Sequence, residues 1–549
     1  MQTPQRTARY STAETVDFVI VGSGAAGGVL AKELSTRGHS VVVLEQGPRR
    51  TVSDFRHDEK SNFLDGALLS KTPLTWRRKP TDDATLGAGQ AWMASLVGGS
   101  SVHFTANFWR LRPVDFNERS RLGPIAGTGF ADWPITYEEL EPYYTKVDWE
   151  VGVSGAPGPD DAPRSRPYPT PPITVKSSGV LLERAAIKLG LKPFPAPMAI
   201  LSQPHNGRPA CQHCGFCMGF GCEYNAKSSS LASVIPVAEA TGRCEIRPLS
   251  HVHLVETNAA GRATGVVYFD AQGREQRQRA RAVVLAANGV ETPRLLLLSA
   301  SPRFPNGLAN SSGMVGKHLM FNGGAITSGE YEHSLNEHKS AEVTRIIHDF
   351  YESDPKRGFY GGGGIDARGG GWLPIAGSMN VPNGMRGWGA DYKHWLAHAY
   401  TRTMMIYGHT TSLAVESNNV TLDPTVKDIH GRAAPRITYE DHADDLATMR
   451  FFHQRTRELH EAAGAKRIWG NPPEVSRASA HFLGTCRMGN DAATSVIDRD
   501  HRTHDVKNLF ICDGSSMVTS SRGQPTMTIM ALAFRAGEQI ADAARRGEI

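Results

Sequence analysis

Three glycines, Gly22, Gly24 and Gly27, stand in the run VGSGAAG at residues 21–27, and the next acidic side chain after an apolar run is Glu45. In this spacing Gly22 permits a tight turn, Gly24 with Ala25 and Ala26 brings backbone N–H groups to a pyrophosphate, and Gly27 lets a helix pack closely on a strand. Glu45, about 20 residues on, is placed to hold a ribose hydroxyl. A second glycine-rich loop, Gly98-Gly99-Ser100-Ser101, offers backbone N–H groups of the kind that lie against phosphates or a flat ring, although a plain turn has the same composition. Cys211, Cys214, Cys217 and Cys222 follow C-x2-C-x2-C-x4-C. That is close to the ferredoxin spacing but lacks its final proline, so iron–sulfur ligation, zinc, a disulfide and reduced structural thiols all stay open.

These groups need a scaffold, and the pattern around the first glycines supplies it. Residues 17–21 read as an apolar strand, residues 25–37 as a helix and residues 40–44 as a second strand ending on Glu45. Strand, glycine turn, helix, strand and acid make a βαβ dinucleotide-binding unit, which by itself does not distinguish FAD from NAD. A chain of 549 residues can bury more than one core, and two domains are expected. A net charge of +5 spread over 60 basic and 55 acidic residues gives no basic tract and argues against nucleic acid. The first fifteen residues hold no apolar signal core, and runs such as AVVLAA and MTIMALAF are too short to span a membrane. The expected location is therefore cytoplasmic, with a periplasmic one only if a partner carries the chain across. Four of the seven cysteines fall within twelve residues, unlike a secreted disulfide framework.

Thr136 with Glu139 predicts a capping box opening an amphipathic helix. Residues 156–172 are rich in proline and read as a surface connection. From Cys244 strand patterns return, and the unalternating run at residues 282–286 predicts a strand buried on both faces, with a helix beginning near Thr292-Pro293. From about 322 to 474 the texture changes: TSLAVES (411–417) and NVTLD (419–423) alternate as antiparallel strands do. Trp372, Trp388 and Trp395 fall close together, in aromatic and glycine-rich loops that either line a cavity or pack in a β-domain core. Toward the C-terminus the texture is α/β again, with a strand at 509–512 and a closing helix carrying Ile529, Leu532, Ala533, Ala536 and Ile540 on one face. Cys244, Cys486 and Cys512 read as buried small hydrophobes.

In order along the chain, VGSGAAG with Glu45, VGGSS (97–101), DWPITYEELEPYY (132–144), AANGVETPRLLLLSA (286–300), NSSGMVGKHLM (310–320), HFLGTCRMG (481–489) and ICDGSSMVTSS followed by PTMTIMALAFRA (511–536) resemble the glucose–methanol–choline (GMC) oxidoreductases. RPAC (208–211) and FPNGLANSSGMVG (304–316) are nearest to the catalytic subunits of bacterial FAD-dependent sugar dehydrogenases of the glucose and gluconate type. The resemblance implies a mixed α/β fold. A Rossmann-like FAD-binding domain would be assembled from residues 14–120, 205–321 and 475–549, and a substrate domain with antiparallel sheet and helices from 121–204 and 322–474. It makes FAD the dinucleotide, with Asn107, Val252, Asp513, Gly514, Pro525 and Thr526 added to the cofactor contacts.

The resemblance also makes His481 the active-site histidine, suited to taking a hydroxyl proton while hydride leaves the same carbon. The family's second active-site residue, usually Asn or His, corresponds to Gln524, which can hydrogen-bond a substrate oxygen but cannot act as a base. His103, four residues after Gly99, has the spacing at which several family members carry FAD covalently. The four clustered cysteines match the region where sugar dehydrogenases of this type hold an iron–sulfur cluster. The implied activity is oxidation of a CH–OH group of a sugar, glycoside or related polyol, with electrons passing to O2 or to a cytochrome, quinone or small partner subunit. A non-sugar alcohol substrate and a non-catalytic electron-transfer flavoprotein are the alternatives.

Overall fold

The computed structural model of the chain describes residues 9–369 and 380–549. The opening unit forms as the strand Thr15–Val21, the helix Ala25–Thr36 and the strand Val41–Leu44. Thr15–Val21 lies inside a seven-stranded sheet, pairing in parallel with Val41–Leu44 on one side and Glu275–Leu285 on the other. Cys244–Arg247 adds in parallel beyond Val41–Leu44. The strand Glu275–Leu285 has two partners on its far edge: residues 275–279 run antiparallel to Ala263–Phe269, whereas Val283–Leu285 run parallel to Leu509–Ile511. His251–Thr257 completes the sheet. The C-terminal strand therefore closes a sheet begun at the N-terminus, and the apolar, unalternating runs at 41–44 and 282–285 follow from cover on both faces.

Gly22 and Gly27 explain why the turn is glycine-rich. Gly22 has φ +93° and a Cβ there would meet the Ala286 carbonyl at 2.6 Å, while a Cβ on Gly27 would stand 2.0 Å from the Gly22 carbonyl oxygen. The helix Ala25–Thr36 has no side-chain N-cap. Packing holds it instead: Leu30 and Leu34 are fully buried, as are Leu532 and Phe534 of the helix Thr526–Arg545 beside it. Each such side chain stabilises by roughly 1.5–3 kcal/mol. The helix Tyr137–Lys146 packs on Thr526–Arg545 as well, with its Thr136 capping box formed as expected.

A second sheet of six antiparallel strands has the order Arg467–Trp469, Gly324–Glu330, Thr403–Thr410, Gly363–Gly369, Arg345–Ile347, Pro193–Pro195. The helices Ser177–Lys188 and Ala443–Ala462 pack on it around Leu182, Ile365, Met404, Ile406 and Phe452. A smaller sheet joins Asn419–Lys427 and Ala433–Thr438 to Thr75–Arg77 and Thr85–Leu86. Residues 411–415 are not a strand despite their alternation: the Ser412 and Leu413 amides donate to the side chains of Ser520 and Asp445, so this backbone is not paired in a ladder. Trp388 is 70% exposed and Trp395 packs edge-on to Trp469, so neither forms a cavity wall; Trp372 lies outside the described residues. Among the described residues no helix is long and apolar enough to cross a membrane.

Candidate functional site

A cavity of about 630 Å³ reaches from the first glycine turn to the edge of the six-stranded sheet. At one end it is walled by Glu45 and by Val252, on the strand His251–Thr257. The Glu45 carboxylate is buried, which pushes its pKa up, and it accepts from the Ser23 amide (3.0 Å), the Ser23 hydroxyl (2.8 Å) and the Gly47 amide (3.0 Å). A carboxylate has about four acceptor positions, so one remains for a ligand hydroxyl. Ser23 in turn accepts from the Gly98 amide at 3.1 Å, tying the two glycine loops together. Gly27 and Gly98 thus stand behind the wall.

Gly22, Gly24, Ala25 and Ala26 face the middle of the cavity, opposite Gly99, Ser100 and Ser101. The first N–H groups of the helix Ala25–Thr36 have no intrahelical partner, and its first turn carries no acidic side chain. Such a terminus is an anion site, and it suits a pyrophosphate. Asp513 and Gly514 face the same stretch. The Asp513 carboxylate accepts from the Ser515 amide (2.7 Å), the Asn288 amide (3.0 Å) and the Thr292 hydroxyl (2.6 Å), while burial raises its pKa.

At the far end lie His103, Asn107, His481, Gln524, Pro525 and Thr526. His103 closes the short turn Gly99–Val102, and its Nε2 is buried without a hydrogen-bond partner. Burial, reinforced by the nearby Lys227 ammonium, takes its pKa down to about 4, so the ring is neutral. His481 follows the strand Ala478–Ser479, and Ser479 fixes it through bonds to its backbone N–H and carbonyl. Its pKa is likewise about 4, through burial first and the facing His409 second. Pro525 precedes the helix Thr526–Arg545, whose N-terminus also meets the cavity without a side-chain cap.

The structure adds residues at this end that no motif marked. His409, on Thr403–Thr410, lines the cavity and lies 3.2 Å through Nδ1 from the Gln524 amide nitrogen. Its Nε2 is 2.7 Å from Asp366, which Arg368 clamps through two bonds. Burial drags the His409 pKa down against the pull of Asp366, and Arg368 holds the Asp366 carboxyl well below the usual range. His481 is therefore not the sole imidazole at this end. Asn107 is part of the same network, donating one N–H to Asp366 (3.0 Å) and accepting from the Trp109 indole (2.7 Å), which leaves its second N–H toward the cavity it lines.

The cysteine segment approaches the cavity through Met218 and Gly219, and the Gly219 amide donates to the His103 carbonyl at 2.8 Å. Its four sulfurs are free thiols in this structure, and among the described residues no three His, Cys, Asp or Glu side chains are gathered to hold a metal ion. The loop is organised around Lys227, whose buried ammonium donates to the carbonyls of Phe104 (3.1 Å), Cys217 (2.6 Å) and Phe220 (2.7 Å). Burial raises the thiol pKa values of Cys211, to about 11, and of Cys214 and Cys217. Cys244, Cys486 and Cys512 are buried, as expected.

Family models place this chain. Residues 20–69 match an NAD(P)-binding Rossmann-like domain, and residues 172–321 and 414–533 match the N- and C-terminal GMC oxidoreductase models. The 2-methyl-1,2-propanediol dehydrogenase of Mycolicibacterium austroafricanum is 35% identical over 540 residues, 96% of each chain. The fructose dehydrogenase large subunit of Gluconobacter japonicus is 30% identical over 551 residues, 97% of this chain and 99% of that one. Among solved structures, pyridoxine 4-oxidase from Mesorbium loti superposes with a TM-score of 0.65 at 16% identity, covering 96% of this chain and 99% of that one, which is a likeness of fold. The chain belongs to the GMC oxidoreductase family.

Proposed function

We propose that this protein oxidises a CH–OH group of a sugar, glycoside or related polyol to a carbonyl. FAD is the cofactor the long cavity fits, and when bound it supplies the acceptor for the hydride. The helix terminus at Gly24–Ala26 holds the pyrophosphate, Glu45 a ribose hydroxyl, and the His103 side faces the ring. His481, neutral and partly exposed to the cavity, takes the hydroxyl proton, and Gln524 orients the oxygen. The six-stranded sheet caps that end through His409, Arg368, Tyr407 and Ile326. The polar end wall, with two neutral imidazoles, an amide and a guanidinium, carries the reading, because a polyhydroxylated substrate can satisfy such groups and an apolar alcohol cannot. The relatives named for a diol, for fructose and, in Pantoea cypripedii, for gluconate support that class.

Electrons then pass to O2 or to an accepting partner. No step is routed through the cysteine loop. The test is anaerobic addition of a panel of sugars and polyols to the holoenzyme. Bleaching of the flavin absorption by members of the panel is expected, and absence of bleaching with every alcohol would overturn the assignment.

The His103 ring is neutral, buried and unpartnered at Nε2, which is what a nucleophile toward the flavin's 8α carbon requires. Covalent attachment there is the expected state. After acid precipitation the yellow colour should stay in the pellet, and His103→Ala should move it to the supernatant. A yellow supernatant from the unaltered protein makes His103 a noncovalent neighbour of the ring.

A further inference from the structure

A second cavity, of about 690 Å³, lies among the turn Pro113–Phe116, residues 160–163 and the stretch 348–357. Arg112 lines it and is only 8% exposed. Its backbone is fixed by the amide, which donates to Asp115 Oδ2 at 2.7 Å, and its guanidinium carbon lies 4.1 Å over the Tyr351 ring. That neighbouring acid is not free to serve as counter-ion. Asp115 Oδ1 accepts from Arg522 at 2.9 Å, and Oδ2 also takes the Tyr351 hydroxyl at 2.6 Å.

A buried guanidinium ordinarily holds a carboxylate, as Arg368 holds Asp366 and Arg522 holds Asp115. Arg112 does not. Among the described residues it forms no ion pair; Nη2 makes one long contact, 3.4 Å to His348 Nδ1, and Nε and Nη1 have no hydrogen-bond partner and stay open to the cavity. His348, buried in the same lining, also has an unpartnered Nε2. Burial and the Arg112 charge hold its pKa well below the imidazole range, so the ring is neutral and adds no competing charge.

We propose that this cavity binds a small organic monocarboxylate, with the carboxylate on the open N–H groups of Arg112. A planar guanidinium matches a planar carboxylate, and Pro113, Ala162 and Pro163 give the rest of the molecule an apolar wall. A single negative charge is favoured, because the remaining lining sets three cations, Arg121, Lys192 and Arg357, against five carboxylates. The site adjoins the oxidising one without sharing it: the Trp109 ring stands nearly perpendicular to His348 at 4.5 Å in this cavity and to His409 at 5.3 Å in the other. It does not depend on the oxidation proposed above.

The test measures binding to the holoenzyme by calorimetry. Propionate has no hydroxyl to oxidise, and propionamide has its shape without its charge. Propionate is expected to bind more tightly than propionamide and than the dianion succinate, leaving the flavin absorption unshifted. Arg112→Gln, compared at equal flavin content, should weaken propionate by about 10- to 100-fold, the loss of charge-assisted hydrogen bonds. Crystals of the unaltered holoenzyme grown with propionate should show its carboxylate on Arg112, a readout that holds even where the variant does not fold.

No binding of propionate, propionamide binding as tightly, affinity unchanged in Arg112→Gln, or a carboxylate found only elsewhere in the crystal each overturns the proposal. Succinate binding more tightly than propionate overturns the assignment to a single charge.

Discussion

Replacing His481 by alanine should slow anaerobic flavin reduction by about 10²- to 10⁴-fold, the range a positioned general base supplies, while flavin content stays at that of the unaltered protein. The side chain is held at the cavity through its backbone by Ser479 and makes no hydrogen bond among the described residues, so its loss removes chemistry rather than structure. The pH profile gives a second readout. A base works unprotonated, and this ring is kept neutral down to about pH 4 by burial and by His409, which faces it with Gln524 beside it. The acid limb of kcat/KM should therefore lie near pH 4 rather than at the ordinary imidazole value of about 6.5, and it should vanish in the alanine variant. A variant that reduces its flavin within threefold of the unaltered enzyme would move the base to another residue, with His409 the first to examine.

The opening βαβ unit was legible because its constraints are local: Gly22 and Gly27 are dictated by contacts within the turn and to Ala286, and the flanking runs at 18–21 and 41–44 are apolar throughout. The capping box at Thr136 and Glu139 was legible for the same reason. His409, Asp366 and Arg368 were not. They become one network only through antiparallel pairing of Gly363–Gly369 with Thr403–Thr410, which sets Gly364 opposite His409 and Asp366 opposite Tyr407. In the sequence those residues are two charges and a histidine in ordinary strand alternation. Residues 411–415 show the opposite failure, since a correct alternation was overridden by side chains that took the backbone bonds. The cysteine spacing left its alternatives open for a third reason: spacing fixes order along the chain, but positive-φ turns at His213, Gly215 and Gly219, together with the carbonyl-bound Lys227, decide where the sulfurs point.

The loop that delivers Gln524 depends on one cation, and Arg522→Met should cost about 3–5 kcal/mol of stability. Arg522 is 2% exposed; its Nε donates to Asp115 at 2.9 Å and its Nη2 to Glu118, so a single guanidinium compensates two buried carboxylates. Tyr351 donates to Asp115 at 2.6 Å and Tyr360 to Glu118 at 2.9 Å, but hydroxyl dipoles do not replace a charge. Methionine fills comparable space and leaves both carboxylates unpaired in the interior, where hydrating them opens the 520–524 loop and displaces Gln524 from His409. Urea unfolding of the holoenzyme should show a lowered midpoint with a drop in flavin reduction rate alongside it. An unchanged midpoint would mean that Arg522 is a passenger in this cluster and that the loop is held instead by the Ser520 and Ser521 carbonyls, which accept from Asn322, and by the Ser520 hydroxyl, which accepts from the Ser412 amide.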